Sequence, residues 1–168
     1  PKAFTHLSEQ VREHSFDRRY LALVRGEFPE EAGLIDAPVG RSTADRKRMS
    51  VTGVRGRDAV TRFDVMERFG QASLVSLRLE TGRTHQIRVH LRFAGHPVLG
   101  DPLYGVAQFK DWKVTDDARE ALTALKGQAL HAERLGFVHP ATEEQVTLTV
   151  PPPEDFQKAL DALRHCAA

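Results

Sequence analysis

The segment from Leu79 to Gly105, LETGRTHQIRVHLRFAGHPVLGDPLYG, constrains the fold of this chain more than any other stretch of its sequence. It holds three arginines and three histidines within 27 residues, interleaved with apolar side chains and closed by a Gly-Asp-Pro motif. Charged residues are rarely buried without partners, so these groups do not form an ordinary apolar core. A solvated face, in turn, would not require glycine, threonine and proline at set positions. We therefore expect this segment to form a functional site.

Helix signals are strongest in the middle of this segment. Ile87 and Leu91 are four residues apart, Thr84 can cap a helix N-terminus, and Gly95 suits the position just after a helix C-terminus. Together they predict a short helix over residues 85–94. The apolar residues of the same stretch also alternate along the chain, so a strand is the competing interpretation.

The rest of the chain predicts one mixed domain in which strands outnumber helices. Apolar residues at helical spacing predict three further helices, over residues 2–14, 116–126 and 154–166. Apolar runs and alternating patterns predict strands over residues 20–24, 48–51, 60–68, 74–80, 133–140 and 144–151. The third and fourth of these strands should pair as an antiparallel hairpin. Residues 30–40 contain glycine and proline and read as a loop, and residues 41–48 read as an exposed basic loop.

The composition excludes several classes of protein. A chain of 168 residues is long enough for one domain with a hydrophobic core. No apolar run approaches the roughly 18 residues that a membrane helix needs, and no apolar signal-peptide core is present. The only cysteine is Cys166, which excludes a disulfide within the chain and is typical of a cytoplasmic protein. We expect a cytoplasmic monomer that does not associate with membranes.

Positive charge is concentrated in one part of a chain whose formal net charge is only +1. Against two carboxylates, Asp45 and Asp58, the stretch 41–62 carries seven cations: Arg41, Arg46, Lys47, Arg48, Arg55, Arg57 and Arg62. Such a local excess favours contact with phosphate groups. A solvated charged loop is the simpler alternative.

The arginines near the predicted helix suit an anion. Arg88 and Arg92 would share one helix face, while Arg83 and Thr84 would lie at the helix N-terminus, where free backbone amides favour anions. Arginine bonds phosphate and carboxylate groups through two parallel hydrogen bonds. Ion pairs at the surface with nearby Glu80 or Asp101 explain the same arginines equally well.

The histidines of this segment do not match a metal site. His85 and His90 are five residues apart and would lie on different helix faces, whereas a helical zinc site takes histidines about four residues apart. The pair could instead act as acid and base in RNA cleavage. The chain also contains no phosphate-binding loop, no dinucleotide fingerprint and no nucleophile-elbow motif. We expect neither a metal nor a cofactor.

Tyr20 is one of two tyrosines and opens a short apolar strand. A tyrosine in this position is most often part of the core, since its ring fills space while its hydroxyl finds a partner. The functional alternative is a platform on which an RNA base stacks.

The motifs GRTHQIRVH, GHP and LGDPLYG closely resemble the signature of RNA pseudouridine synthases of the RluA/RluD type. The resemblance covers nearly the whole chain. RRYLALVRG resembles the family's strand with the active-site tyrosine, VGRSTADRKRMSV its RNA-gripping loop, and QALHAERLGFVHP a later strand. It implies an α+β pseudouridine synthase fold, a mostly antiparallel sheet flanked by helices and loops. It also implies that residues 1–168 are the C-terminal portion of the catalytic domain, with its N-terminal part missing.

The resemblance also implies a mechanism. A uridine is flipped out of the RNA, an aspartate acts as nucleophile, and the base is rotated and rejoined through carbon 5, without metal or cofactor. Tyr20 falls on the family's base-stacking tyrosine, Arg88 on the basic residue that pairs with the catalytic aspartate, and Ile87 on an apolar residue of the pocket. We expect large-subunit ribosomal RNA as the partner, bound through Arg41, Arg46, Lys47, Arg48, Arg83, Thr84 and His85.

One departure from the family is clear. The catalytic aspartate of the family lies in a His-Arg-Leu-Asp motif, which does not occur in these 168 residues. We therefore expect this chain to lack the nucleophile and to be inactive by itself. Two other functions remain open: an RNA-binding module of the same fold without catalysis, and a histidine-dependent ribonuclease.

Overall fold

A computed structural model describes residues 2–167, which form one six-stranded sheet, one two-stranded sheet and four helices. The helices are α1 (Lys2–Arg12), α2 (Gln86–Phe93), α3 (Asp116–Thr123) and α4 (Glu154–Ala167). The strands are β1 (Asp17–Arg25), β2 (Ala32–Asp36), β3 (Val39–Arg41), β4 (Met49–Val51), β5 (Val60–Arg68), β6 (Ala72–Leu79), β7 (Leu130–Val138) and β8 (Gln145–Thr149).

The large sheet has the strand order β2-β5-β6-β1-β7-β8, and all its strand pairs are antiparallel. The predicted hairpin is confirmed as β5–β6, and the last two predicted strands are β7 and β8. Strand β1 lies between β6 and β7, so Tyr20 is held near the middle of the sheet. The predicted α+β class, with a mostly antiparallel sheet and flanking helices, is confirmed.

Alternation along β1 divides the core into two layers. Leu21 and Leu23 pack with α4 on one face of the sheet, whereas Ala22 and Val24 pack with α2 on the other. Successive side chains of a strand point to opposite faces, so one apolar run supplies both layers. The layer with α2 supports the candidate site.

The prediction of a loop over residues 30–40 is wrong, because β2 and the start of β3 lie within it. Strand β2 pairs with β5 over Ala32–Asp36, although Leu34 is half exposed at the sheet edge. Backbone pairing with β5 therefore overrides the local glycine and proline signals. Pro38 does interrupt the chain, since it stands between the two strands.

The helix predicted over residues 85–94 is confirmed as α2, and the competing strand is wrong. The predicted role of Gly95 also holds, since its φ is +85° and its amide donates to the Arg92 carbonyl at 3.0 Å. The next amide, of His96, donates to the Leu91 carbonyl at 2.8 Å. These two bonds form a Schellman motif, for which glycine is the preferred residue.

The small sheet β3–β4 carries the basic loop at its tip. Residues 42–48 join the two strands, as the predicted exposed loop requires, while Arg41 itself ends β3. Val39, Met49 and Val51 of the hairpin pack against Val89 of α2 and Tyr104. The basic loop therefore projects from a hairpin that is anchored beside α2.

Candidate functional site

A tight turn precedes α2 and presents the Gly-Arg-Thr-His segment. His85 occupies the N-cap position with φ of 57°, and its side chain accepts no capping bond, so the predicted cap by Thr84 is wrong. Gln86 holds the turn instead, because its Oε1 accepts from the Arg83 amide at 3.0 Å and from the Thr81 hydroxyl at 2.7 Å. Left-handed backbone at a residue other than glycine costs about 1–3 kcal/mol, which these bonds must offset.

Arg88 and Asp101 form a buried ion pair at α2. Asp101 is fully buried, and the Arg88 side chain is 13% exposed. Arg88 Nε donates to one carboxylate oxygen and Nη2 to the other, each at 2.7 Å. The amides of Leu103 and Tyr104 donate to the same carboxylate at 2.9 and 3.1 Å. The guanidinium plane is therefore fixed, and Nη1 keeps no hydrogen-bond partner within residues 2–167.

These contacts decide the charge state of the pair. Burial alone would raise the pKa of Asp101, but the bonds from Arg88 and from two backbone amides outweigh it, so this pKa lies below its ordinary value. The bond to Asp101 raises the pKa of Arg88. Arg88 thus forms an ion pair with Asp101, as the alternative interpretation of the sequence predicted. The pair is buried, however, and does not lie at the surface. Pairing of Arg88 with a catalytic aspartate stays a prediction, for which Nη1 is the available donor.

Tyr104 connects this ion pair to His85 and to the basic hairpin. The Arg88 guanidinium carbon lies 4.8 Å from the centre of the Tyr104 ring. The Tyr104 hydroxyl accepts from the Met49 amide at 2.8 Å and lies 2.9 Å from His85 Nδ1. Burial and the Arg88 charge lower the pKa of His85, so the ring is neutral at pH 7. The hydroxyl and Nδ1 are therefore hydrogen-bonded, with the direction of the bond set by the tautomer of the ring.

His90 lies in a buried polar network and is not part of an accessible acid–base pair. It is fully buried, its Nε2 donates to the Ala37 carbonyl at 2.8 Å, and its Nδ1 accepts from the Thr61 hydroxyl at 2.8 Å. Both ring nitrogens are therefore occupied by the fold. The ribonuclease alternative, which required His85 and His90 to act together on RNA, is wrong.

Tyr20 and Ile87 both lie in the apolar layer between the sheet and α2. Tyr20 is half-buried opposite Leu77, Ile87 is 5% exposed, and both pack in the same cluster. The prediction that the Tyr20 ring packs on the core is confirmed. Its stacking on a target base stays a prediction, as does the role of Ile87 as a pocket residue.

A basic cavity of about 560 Å³ opens between the turn before α2 and the β3–β4 hairpin. Thr84 and His85 lie on its wall, and none of its lining residues is a carboxylate. The Arg83 guanidinium is held there by a 3.0 Å bond from Nε to the Asp58 carbonyl. The cavity is lined by five cations: Arg41, Lys47, Arg55, Arg57 and Arg83. Unbalanced positive charge in a concave site attracts phosphate groups.

The seven predicted RNA-binding residues therefore lie in three places: the basic cavity, the exposed surface beside it and an adjoining cleft. Arg41, Lys47, Arg83, Thr84 and His85 line the basic cavity. Arg46 is exposed outside it, and its carbonyl accepts from the Arg41 guanidinium at 3.0 Å. Arg48 lies in an adjoining cleft, 3.2 Å from Asp45.

The sequence interpretation missed Arg18 as a residue of this region. Arg18 lies two positions before Tyr20, on the same face of β1. A Cβ on Gly82 would lie 3.1 Å from Arg18 Nη1, so a glycine there permits the close approach. Arg18 Nε is buried without a hydrogen-bond partner within residues 2–167. Successive side chains of a strand point to opposite faces, so the order Arg18-Arg19-Tyr20 already indicates that Arg18 and Tyr20 share a face.

Two histidines outside the site form structural hydrogen bonds. His131 Nε2 donates to the Val150 carbonyl at 2.8 Å, and His139 Nδ1 accepts from the Thr142 amide at 3.2 Å. Within residues 2–167, no group of three or more histidine, cysteine, aspartate or glutamate side chains is placed to hold a metal ion. No helix in this described range is both long and apolar enough to cross a membrane.

Comparison with known proteins gives sequence matches over the whole chain. Residues 1–93 match the family described as RNA pseudouridylate synthase. A ribosomal large subunit pseudouridine synthase D from Xanthomonas campestris is 44% identical over 167 residues, covering 99% of this chain and 50% of that protein. The uncharacterized RNA pseudouridine synthase YlyB from Bacillus subtilis is 44% identical over 162 residues, covering 96% and 49%. The chain spans about half the length of the curated relatives it matches.

Solved structures agree with these matches. Human RNA Pseudouridylate Synthase Domain Containing 4 superposes with a TM-score of 0.72 at 26% identity, covering 98% of this chain and 69% of that chain. Human RNA Pseudouridylate Synthase Domain Containing 1 gives a TM-score of 0.68 at 26% identity, covering 95% and 70%. The sheet and its helices therefore recur in structures of this kind.

Proposed function

Because the chain belongs to the RNA pseudouridylate synthase family, we propose that its site serves to isomerise specific uridines in RNA to pseudouridine. The observation that carries this proposal is the arrangement around α2. A fixed guanidinium at Arg88 keeps one free nitrogen, Ile87 beside it packs in one cluster with Tyr20, and His85, at the start of the same helix, lines a cavity without carboxylates. This combination suits a flipped base held next to a bound phosphate backbone.

In this proposal each residue has a defined role. Tyr20 stacks on the flipped uracil ring, and Ile87 excludes water from its edge. Arg88 Nη1 bonds the nucleophilic carboxylate and keeps it ionised. The reaction breaks the bond between the sugar and N1 and forms one to carbon 5. The hydrogen on carbon 5 goes to solvent and N1 gains a proton, so no cofactor or metal is needed.

The nucleophilic aspartate comes from outside these 168 residues. Support comes from the absence of a His-Arg-Leu-Asp motif and from the 50% coverage of a 44% identical relative. Asp101 does not substitute for it, because that carboxylate is fully buried and bonded by Arg88 and two amides. On this proposal, residues 1–168 are the C-terminal portion of the catalytic domain and are inactive alone.

Large-subunit ribosomal RNA is the proposed substrate, and a cytoplasmic monomer the proposed state. Support for the substrate comes from relatives in Xanthomonas campestris and Zymomonas mobilis, both named ribosomal large subunit pseudouridine synthase D, at 44% and 43% identity. The phosphate backbone would lie along the basic cavity, where five cations meet no carboxylate.

Tritium release tests the proposed reaction. RNA labelled with tritium on uridine carbon 5 should lose the label with the full-length protein, and not with the 168-residue chain alone. Arg88→Ala in the full-length protein should abolish release, since the nucleophile loses its ion-pair partner. Release by the isolated chain would refute its inactivity, and near-normal release by Arg88→Ala would remove Arg88 from the mechanism.

A second candidate is an RNA-binding module without catalysis. The observation in its favour is that the basic cavity is complete within this chain, whereas the nucleophile motif is not. It predicts RNA binding by the full-length protein with no tritium release from any RNA. The same experiment therefore separates the two candidates.

A further inference from the structure

A second cleft adjoins the basic cavity at the β3–β4 hairpin. Its volume is about 410 Å³, and Met49 lines both spaces. One wall comes from the hairpin and its basic loop, the other from α2, and Tyr104 lies between them. The proposed reaction leaves this cleft without a role.

The wall from α2 presents an aromatic ring and a cation side by side. Val89, Arg92 and Phe93 follow the spacing i, i+3, i+4, which places them on one helix face. Val89 is 4% exposed and supports the face from below. The Phe93 side chain is 61% exposed, so packing of the domain does not use its ring. Arg92 is exposed and forms no ion pair within residues 2–167.

The opposite wall adds charge and hydrogen-bonding groups. Arg48 lies there with Asp45, 3.2 Å away, and Ser42 and Ser50 contribute hydroxyls. Two cations against one carboxylate leave the cleft positive, and Arg48 Nε is buried without a hydrogen-bond partner within residues 2–167. A planar apolar surface beside positive charge matches the two parts of a nucleotide, a base with a π-face and an anionic phosphate.

The position of the cleft relative to Arg88 identifies which nucleotide it would take. Arg92 follows Arg88 by four residues, so it lies about one helical turn, roughly 5–6 Å, further along α2 on the same side. A single strand whose target uridine is held at Arg88 and Tyr20 would bring a neighbouring nucleotide to this turn.

We propose that this cleft binds a nucleotide that flanks the target uridine, with its base stacked on Phe93 and its phosphate at Arg92 and Arg48. The proposal rests on the proposed function, since it assigns a further subsite to the same RNA. An aromatic platform accepts every base, so this subsite adds affinity and fixes the strand without selecting a sequence.

Substitutions of Phe93 in the full-length protein test this subsite. The probe is a fluorescein-labelled oligouridine of about ten nucleotides, followed by fluorescence anisotropy. Phe93→Ala should raise the Kd about 5- to 150-fold, the effect of losing one base stack. Phe93→Trp should restore binding, whereas Phe93→Leu should behave like alanine. Phe4→Ala is the matched control, because Phe4 is 72% exposed on α1, away from α2.

The salt dependence separates stacking from charge. Phe93→Ala should leave the slope of log K against log salt unchanged, whereas Arg92→Gln should lower it by about 0.7. In tritium release, Phe93→Ala should raise KM and keep kcat, since a flanking contact is the same in the ground state and the transition state. Circular dichroism should show an unchanged fold, as Phe93 is exposed.

The possible results distinguish this proposal from the proposed function. If the unaltered protein binds no RNA, the proposed function fails, and the subsite fails with it. If that protein binds and turns over RNA while Phe93→Ala equals Phe4→Ala, only the subsite is refuted. If Phe93→Leu binds as tightly as the unaltered protein, stacking of a base on Phe93 is refuted.

Discussion

Replacement of Asp101 by asparagine removes the charge that balances Arg88 inside the protein and preserves the side-chain volume. The asparagine oxygen still accepts from the two backbone amides. The NH2 group, which cannot accept a hydrogen bond, then faces Arg88. Removal of one partner of a buried ion pair costs about 3–5 kcal/mol. Because the backbone bonds survive and the Arg88 side chain is 13% exposed, we expect a loss below this range, about 1.5–3 kcal/mol, the value of a hydrogen bond to a charged group.

This loss should depend on pH in a defined direction. The pKa of Asp101 lies below its ordinary value in the folded protein, so the folded state binds this proton less readily than the unfolded state does. The contribution of Asp101 to stability is therefore complete above the unfolded pKa of about 3.9 and is lost as the pH falls through the folded value. The difference in the free energy of unfolding between the original protein and Asp101→Asn should therefore shrink as the pH falls.

Urea unfolding at pH 7 and at about pH 3.5 measures this difference. The matched control is Glu31→Gln, because Glu31 is 81% exposed and its oxygen accepts from Arg68 at 2.8 Å, nearly the distance found at Arg88. An exposed ion pair of this kind contributes less than about 1 kcal/mol. Equal stability losses for Asp101→Asn and Glu31→Gln at pH 7 would refute the account of a buried, fixed guanidinium.

Three further predictions concern the basic loop and the buried network. Replacement of Arg46, Lys47 and Arg48 by alanine should weaken RNA binding and lower its salt slope by about 2–3, and an unchanged slope would return this loop to a solvated role. Thr61→Val leaves His90 Nδ1 without its donor and should lower the free energy of unfolding, measured in urea, by about 1–3 kcal/mol. An unchanged free energy of unfolding would show that this bond does not stabilise the fold. Burial lowers the pKa of His90, so stability should fall as the pH drops below about 6.5, with a smaller pH slope in His90→Gln; equal slopes would contradict this.

Local signals predicted the site helix well. The spacing of Ile87 and Leu91 and the position of Gly95 each report on backbone within one or two turns, and the structure confirms both α2 and its glycine C-terminus. The N-terminus was misassigned because Thr84 has the right chemistry for a cap, yet the Gln86 side chain takes over the turn. A single-residue preference could not foresee that bond to Thr81.

Contacts between distant segments were beyond local reasoning. Strand β2 exists because β5 pairs with it, despite glycine and proline signals around it. Asp101 meets Arg88 only because the chain reverses after α2 and returns beneath it, so the sequence could offer the pair as one alternative among surface contacts. The division of basic residues between two clefts likewise depends on where the β3–β4 hairpin docks.

Mapping of pseudouridine in cellular RNA tests the central claim most directly. Cells that lack the gene should lose pseudouridine at one or more uridines of large-subunit ribosomal RNA. The unaltered full-length gene should restore the modification, and its Arg88→Ala variant should not. An unchanged pseudouridine profile in ribosomal and transfer RNA of the deleted strain would contradict the proposal that this site isomerises uridine.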